Sequence, residues 1–543
     1  MRYTSLFLAA LFLLAAVQHS EAQQGGGKGP GGATGTQKSA LPARGGGLGA
    51  PPPLGKTQKA AIPNAKPVRT CESLAMVALP NTTIESAKLD AKDPNVCRVT
   101  AITTHPPAGD QIRIWVAIPM SNWNGRFLGT GGGGFVGGSE AGVNQPLALG
   151  YAGGATDTGH AGGSGSFAMD ANGHLDWQLV RDNAHVGIHE MTVTGKALTQ
   201  ALYNAAPKYS YFNGCSTGGR QGLMEAQRYP EDYNGIVSAA PAINWPKLMM
   251  QSIWSTAVMN AAKNPVPACK LQAATAAAVE ACDAIDGVKD GVIENPAICN
   301  FDPKTLIGKP AGNCGTVTEA DADVIKKLWE GPRRADGTLI WHGQPWGADM
   351  VALSATRGNP LQPLAFTFTA DWIRFWLLQN PQFDANSLTP ELFGHFWDQS
   401  IEQYGIVIGT DNPDLTVFRD HGGKLVLWHG WADQLITAQG TIDYYKRVLA
   451  QMGGPEKTAQ FLRFFLAPGI GHCGGGPGAM PTGQLDALVS WVEDGKAPAT
   501  LPASKQTPSG PRTRILCQYP LVPKYKGKGS TDDAANFSCS TGF

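Results

Sequence analysis

Residues 209–228 read YSYFNGCSTGGRQGLMEAQR. A short β-prone run at 209–212 meets a glycine-rich turn. The chain then continues into RQGLMEAQR, with Leu223, Met224 and Ala226 as the apolar positions of a helix. Gly214-Cys215-Ser216-Thr217-Gly218 is a G-x-S-x-G, which between a strand and a helix presents a serine at the tip of a sharp elbow. The flanking glycines have a physical cause, because side chains there would collide with the strand and the helix. The helix that begins at the turn points free backbone N–H groups to where a carbonyl oxygen gains negative charge.

A serine nucleophile needs a base and a group that orients the base. In an α/β-hydrolase these follow in the order Ser…Asp…His. Residues 424–428 (KLVLW) read as a buried strand, and HGWADQLI follows, with Asp433 in the turn beyond the strand end. Residues 461–466 (FLRFFL) read as another strand, running into APGIGHCG with His472 in a glycine-rich loop. The sequence therefore predicts an α/β-hydrolase core with Ser216, Asp433 and His472 as the triad. One oxyanion donor is the N–H of Thr217. The other is expected from the glycine-rich loop at 129–138 (GTGGGGFVGG), at Gly132 with Gly133 next to it. A phosphate-cradling role for that loop lacks the Walker lysine.

Other histidines read more modestly. His429 follows the same strand as Asp433 and either lines the site or packs. His160 and His189 read as structural, and His189-Glu190 does not continue into the HExxH zinc motif.

Lys+Arg and Asp+Glu each number 43, but the balance is uneven along the chain. Residues 1–70 hold eight basic residues and one acid, which leaves 35 basic and 42 acidic residues in the rest. A basic tail thus precedes a mildly acidic body, whose mixed charge excludes nucleic acid as a main partner. Residues 1–22 read as a secretory signal, with Arg2, an apolar run at 6–17 and Ser20-Glu21-Ala22 as the cleavage site. That run is too short for a transmembrane anchor, which needs about 20 apolar residues. Residues 23–67 are rich in glycine and proline and are expected to form a disordered linker. An exported chain, extracellular or periplasmic, fits the even count of ten cysteines, enough for five disulfides. Their connectivity is open on sequence alone. Cys215 precedes Ser216 and Cys473 follows His472, so a formed triad brings these two cysteines close enough to bridge.

The segments Cys215-Ser216, Asp433 and His472-Cys473 resemble the CS-D-HC motif of the tannase and feruloyl esterase family, which includes mono(hydroxyethyl) terephthalate hydrolase. The resemblance extends through NGRFLGTGGGGF (124–135), GYAGGATDTGH (150–160), YFNGCSTGGRQG (211–222), GGKLVLWHGWAD (422–433) and GIGHC (469–473). It implies a Cys215–Cys473 disulfide and a large lid inserted between the serine and aspartate segments. The expected division is 68–240 and 412–543 for the core and 241–411 for the lid. The interval is rich in Trp372, Phe375, Trp376, Phe393, Phe396 and Trp397. Most of these are expected in its core and a minority on an aromatic substrate pocket. Arg374 is expected to pair within the lid rather than meet a substrate carboxylate.

CDAIDGVKD at 282–290 clusters Asp283, Asp286 and Asp290 on tight turns, which suits a hard cation. The run resembles the family's lid calcium site, and that resemblance implies Ca2+ held by the three aspartates and the carbonyls of Val288 and Val292. Cys282 and Cys299 bracket the loop and are expected to pair, with Cys517–Cys539 pinning the C-terminal end. Family lids often carry a close cysteine pair after this loop. Here the segment keeps only Cys314, so Cys269–Cys314 is expected, with Cys71–Cys97 near the start.

The implied activity is a secreted serine esterase acting on feruloyl, galloyl or terephthaloyl-type esters, free or linked to plant polymers. The same triad also serves a serine acyltransferase or peptidase. A non-catalytic, calcium-stabilised surface-binding module is the remaining alternative, and it has no need of all three triad residues.

Overall fold

The computed structural model describes residues 58–542. The stretch read as a leader at 1–22 and the linker as far as residue 57 lie outside that range. At its centre is a nine-stranded sheet. Its strands are β1 (Thr82–Leu89), β2 (Val96–Thr103), β3 (Ile112–Pro119), β4 (Arg126–Thr130), β5 (Ala152–Thr156), β6 (Tyr209–Cys215), β7 (Gly235–Ala239), β8 (Lys424–Gly430) and β9 (Leu462–Ala467). They lie side by side in the order 1-2-3-5-4-6-7-8-9. The pairs β1–β2, β2–β3 and β3–β5 are antiparallel. From β5 to β9 every pair is parallel. This is the α/β-hydrolase arrangement.

The strand sequences follow from burial on both faces. In β8, Leu425 and Leu427 join one apolar cluster, while Val426 and Trp428 join the cluster on the opposite side. A strand covered twice reads as a continuous apolar run, which is why KLVLW shows no alternation. Helices α1 (Gly187–Tyr203) and α2 (Thr217–Arg228) cover the first face through Ile188, Met191, Leu198 and Leu223.

The chain leaves the sheet after Ala239 and returns at Lys424. Between them lie α3 (Trp245–Gln251), α4 (Trp254–Ala262), α5 (Ala268–Cys282), α6 (Glu319–Glu330) and α7 (Pro390–Tyr404), and no strand is added to the sheet. These helices enclose Trp254, Leu271, Ile325, Trp372, Trp376 and Phe393. The same cluster reaches Phe135 and Val180, so helices and sheet form one compact unit. After β8 come α8 (Ala438–Gln451), against the first face, and α9 (Gln484–Asp494), against the second. A hairpin of β10 (Thr500–Thr507) and β11 (Gly510–Cys517) and the pair β12 (Val522–Tyr525) and β13 (Phe537–Ser540) complete the chain.

One expectation needs correction. The end of the stretch read as a disordered linker is docked. Ala61 N–H donates to the Asn124 carbonyl at 2.7 Å, and Arg126 Nη1 donates to Lys59 O at 2.9 Å. Ile62 and Ala65 pack on the core. Glycine and proline dominate the composition upstream and mask these few anchoring contacts.

Disulfides join Cys71–Cys97, Cys215–Cys473, Cys269–Cys314, Cys282–Cys299 and Cys517–Cys539.

Candidate active site

β6 ends at Cys215 and α2 begins at Thr217, so Ser216 alone makes the turn. Its φ of 63° and ψ of −123° lie where side chains are costly, about 1–3 kcal/mol. The surroundings enforce this conformation. Ser216 N–H donates to Ala239 O at 3.0 Å, and its carbonyl accepts from Arg220 N–H at 2.9 Å. A Cβ on Gly214 would lie 2.5 Å from the Gly218 backbone, so no larger residue allows the helix this close.

The three predicted residues meet. His472 Nε2 lies 2.8 Å from Ser216 Oγ, and His472 Nδ1 lies 2.9 Å from Asp433 Oδ2. A carboxylate only accepts, so Nδ1 carries the ring proton and Nε2 is free to accept from the serine hydroxyl. His472 and Asp433 are 4% and 1% exposed, so the bond between them is shielded from water. Burial alone would raise the Asp433 pKa. The His472 charge and hydrogen bonds from His429 and His472 outweigh it and hold the carboxyl well below its usual range. Asp433 Oδ1 accepts from the N–H groups of Leu435 at 2.9 Å and Ile436 at 2.8 Å. Gln434, next to the acid, accepts from His472 N–H through Oε1 at 3.0 Å. The acid loop thereby carries the histidine loop.

Thr217 is the first residue of α2, and its N–H has no intrahelical acceptor. Its hydroxyl donates to Gly134 O at 2.7 Å, which brings the glycine-rich loop onto the elbow. The choice of Gly132 as the second oxyanion donor is corrected. Its N–H already donates to Gln221 Oε1 at 3.0 Å, and that of Gly133 donates to Val136 O at 3.1 Å. Gly134, at φ 59°, turns its carbonyl to the Thr217 hydroxyl, and a Cβ there would lie 2.4 Å from the Phe368 ring. The sequence reading missed Gln221, which also donates from Nε2 to Gly137 O at 3.0 Å and clamps the loop from both ends. Its only sequence signal is its place one helical turn after Thr217.

The aromatic residues of the helical interval lie mostly in its interior. Trp372 and Trp376 are fully buried, Phe393, Phe396 and Trp397 are buried, and Phe375 is partly buried. Phe135, directly after the glycine run, packs against Trp245, Phe368 and Trp376 with ring centroids 5.6, 5.9 and 5.9 Å apart. Arg374 Nε donates to Phe383 O at 2.8 Å, a contact within the interval. His160 donates from Nε2 to Phe135 O at 2.7 Å, and His189 Nδ1 bonds Asp232 Oδ2 at 2.7 Å, so both are held by local partners.

The acidic loop meets the start of the histidine loop, where a Cβ on Gly469 would lie 3.0 Å from Val292. Asp283 Oδ1 accepts from the N–H groups of Asp290, Gly291 and Val292 at 3.0, 3.0 and 3.2 Å. Asp286 Oδ1 accepts from Val288 N–H at 3.0 Å. Burial first, and then the Asp290 and Asp283 charges, push Asp286 up to about 6. Asp290 Oδ2 is held by Arg514 at 2.6 Å and Arg512 at 3.3 Å, both from β11. Glu294, buried in the same field, has a carboxylate oxygen with no hydrogen-bond donor. An all-oxygen donor set beside an orphaned buried carboxylate fits a hard divalent cation, with Asp290 sharing its charge with the arginines. Among the described residues, tighter groups of potential ligands occur at His105–Asp110–Asp182 and His189–Glu225–Asp232, each containing a 2.7 Å histidine–aspartate bond.

Residues 97–540 match the family described as tannase and feruloyl esterase. A probable feruloyl esterase of Arthroderma benhamiae is 40% identical over 480 residues, covering 86% of this chain and 87% of that protein. A mono(2-hydroxyethyl) terephthalate hydrolase of Piscinibacter sakaiensis is 32% identical over 517 residues, covering 79% and 81%. Among solved structures, a tannin acyl hydrolase from Aspergillus niger superposes with a TM-score of 0.79 at 26% identity, covering 86% of this chain and 94% of that one. Feruloyl esterase B from Aspergillus oryzae superposes with a TM-score of 0.76 at 26% identity, covering 87% and 100%.

Proposed function

The chain belongs to the tannase and feruloyl esterase family of carboxylic ester hydrolases, and on that footing we propose that it is a secreted serine esterase cleaving aromatic acid esters through an acyl-enzyme. One observation carries the mechanism. Ser216 Oγ, His472 and Asp433 form an unbroken hydrogen-bonded line with links of 2.8 and 2.9 Å. Ser216 Oγ attacks the ester carbonyl as its proton passes to His472 Nε2. The imidazolium keeps its other proton on Nδ1, against the charged Asp433. The tetrahedral oxygen takes a hydrogen bond from Thr217 N–H and one from a backbone N–H of the 131–134 loop. Collapse expels the alcohol, which takes the proton from His472 Nε2. A water, deprotonated by the same nitrogen, then releases the aromatic acid and restores Ser216.

Five disulfides and the leader-like residues 1–22 support export. Among the described residues, no helix is long and apolar enough to cross a membrane. The acyl group is feruloyl, galloyl or terephthaloyl, in keeping with relatives named for feruloyl and terephthalate esters and a solved structure named for tannin. Ca2+ fits at Asp283, Asp286 and Asp290 with the carbonyls of Val288 and Val292. There it serves the stability of the acidic loop and takes no part in the reaction.

The test is Ser216→Ala measured with feruloyl, galloyl and terephthaloyl esters, together with labelling by a fluorophosphonate. Loss of both hydrolysis and labelling in a folded variant is expected. Hydrolysis at the wild-type rate would overturn the assignment.

A further inference from the structure

His429 is the penultimate residue of β8, has no exposed surface, and touches the same oxygen of the triad acid as His472 does. Its Nε2 lies 2.9 Å from Ile436 O and 3.1 Å from Asp433 Oδ2. Both partners only accept, so Nε2 carries a proton. Its Nδ1 lies 2.8 Å from Thr441 Oγ1 on α8, and must accept from that hydroxyl if the ring is neutral. Asp433 Oδ2 thus receives N–H donors from two histidines, while Oδ1 receives two backbone N–H groups. Every acceptor direction of the carboxylate is filled.

We infer that His429 is a positioning residue for the Ser216–His472–Asp433 relay, fixing the Asp433 carboxylate in the orientation that His472 Nδ1 requires. The inference rests on the reading of Ser216 as the nucleophile. A packing role alone does not account for the geometry. A leucine of similar bulk would fill the volume but leave Ile436 O, the Thr441 hydroxyl and one direction of Asp433 Oδ2 unpaired in a dry site. The His429 donor also draws charge from the oxygen shared with His472. That favours keeping the second imidazolium proton on His472 Nδ1 rather than on the carboxylate. Asp433, His472 behind it and Thr441 are the polar side chains in this line.

The experiment compares His429→Leu, His429→Gln and Thr441→Val with wild type, using an aryl ester across pH and a fluorophosphonate. His429→Leu is expected to lower kcat by about 10–100-fold, the loss of a buried hydrogen bond to a charged group. KM should stay within about two-fold, because the side chain is remote from the substrate. The acid limb of kcat/KM should move to higher pH, because a carboxylate short of one donor holds the His472 proton more strongly. His429→Gln, whose amide can donate in place of Nε2–H, should recover most of the rate. Thr441→Val, which removes the donor to Nδ1, should move kcat and the pH limb in the same direction as the leucine variant. That variant carries the test if His429→Leu does not fold. Wild-type kcat and an unmoved acid limb in the folded leucine variant, or in Thr441→Val when leucine does not fold, would overturn this inference alone. A wild-type protein inert to both ester and fluorophosphonate would overturn the nucleophile assignment and this inference with it.

Discussion

Cys215 and Cys473 are bonded across 258 residues of chain, and each is the covalent neighbour of one member of the Ser216–His472 pair, whose reacting atoms lie 2.8 Å apart. The elbow and the histidine loop arise from different strands, β6 and β9, separated in the sheet by β7 and β8. The disulfide fixes at their tips a separation that the sheet fixes only at their bases. Replacing both cysteines by serine should cost about 2–5 kcal/mol of stability. It should also lower kcat by about ten-fold or more, because small errors in placing a base are expensive. Thermal unfolding and ester hydrolysis, with and without dithiothreitol, check both. An unchanged kcat would mean that Gln434 and the sheet hold the histidine loop unaided.

Asp433→Asn keeps the shape of the acid but places an amide where a carboxylate must accept from His472 Nδ1. The imidazole is then driven to the wrong tautomer, and kcat should fall by about 10⁴-fold with the unfolding temperature little changed. Steady-state kinetics beside calorimetry separate this from simple unfolding.

Gln221→Leu removes both ends of the clamp on the glycine-rich loop, leaving Gly132 N–H and Gly137 O without their partner. Each unpaired buried group costs about 1–3 kcal/mol. The expected result is a lower unfolding temperature and a kcat loss, with Ser216 still displacing fluoride from the fluorophosphonate but more slowly. Gln221→Glu keeps the shape but presents an acceptor to Gly137 O and should not restore the wild type.

Burial, and after it the neighbouring Asp110 carboxyl, push Asp182 up to about 7. The folded protein therefore holds this proton more tightly than the unfolded chain. Its contribution to stability is full below the ordinary carboxylate range and is lost as pH rises through about 7. Asp182→Asn supplies a permanent N–H and still accepts from Gln178 Nε2, which bonds Asp182 Oδ1 at 2.8 Å. The variant should lose less stability than wild type between pH 5 and pH 8, read by unfolding midpoints in urea across that range. Parallel pH curves for the two proteins would show that the carboxyl is ionised throughout.

Chelation with EGTA should lower the unfolding temperature by several degrees, by mass action on the folded state. At 25 °C it should leave fluorophosphonate labelling of Ser216 unchanged. Asp283→Ala should abolish the EGTA effect. Equal unfolding temperatures with and without chelator in wild type would remove the ion from the acidic loop.

The sequence exposed the parts of this site that local chain geometry dictates. Ser216 is marked by the glycines its own elbow needs, and Asp433 and His472 each follow an apolar run that is a strand. Partners made only in three dimensions were hidden. Gln221 reads as an ordinary helix glutamine, and its bonds to Gly132 and Gly137 exist only because β4 lies beside β6. Gly132 looked free for an oxyanion because nothing in GTGGGGF records that its N–H is already taken. His429 could be placed near the acid, but the direction of its two ring nitrogens depends on where α8 sets Thr441. The segment 58–67 was obscured in another way, since its docking rests on a few contacts inside a composition that elsewhere signals no structure.

The order of the strands also sets a schedule for biosynthesis. The serine is laid down 256 residues before its base. A chain emerging from the ribosome thus carries Ser216 for nearly half of its synthesis without the histidine that activates it. Hydrolytic power arrives only when β9 has docked beside β8 and the loop after it has reached the elbow. Reactivity in this protein is therefore a late product of assembly, and a fragment ending before His472 is a folding intermediate without a reagent.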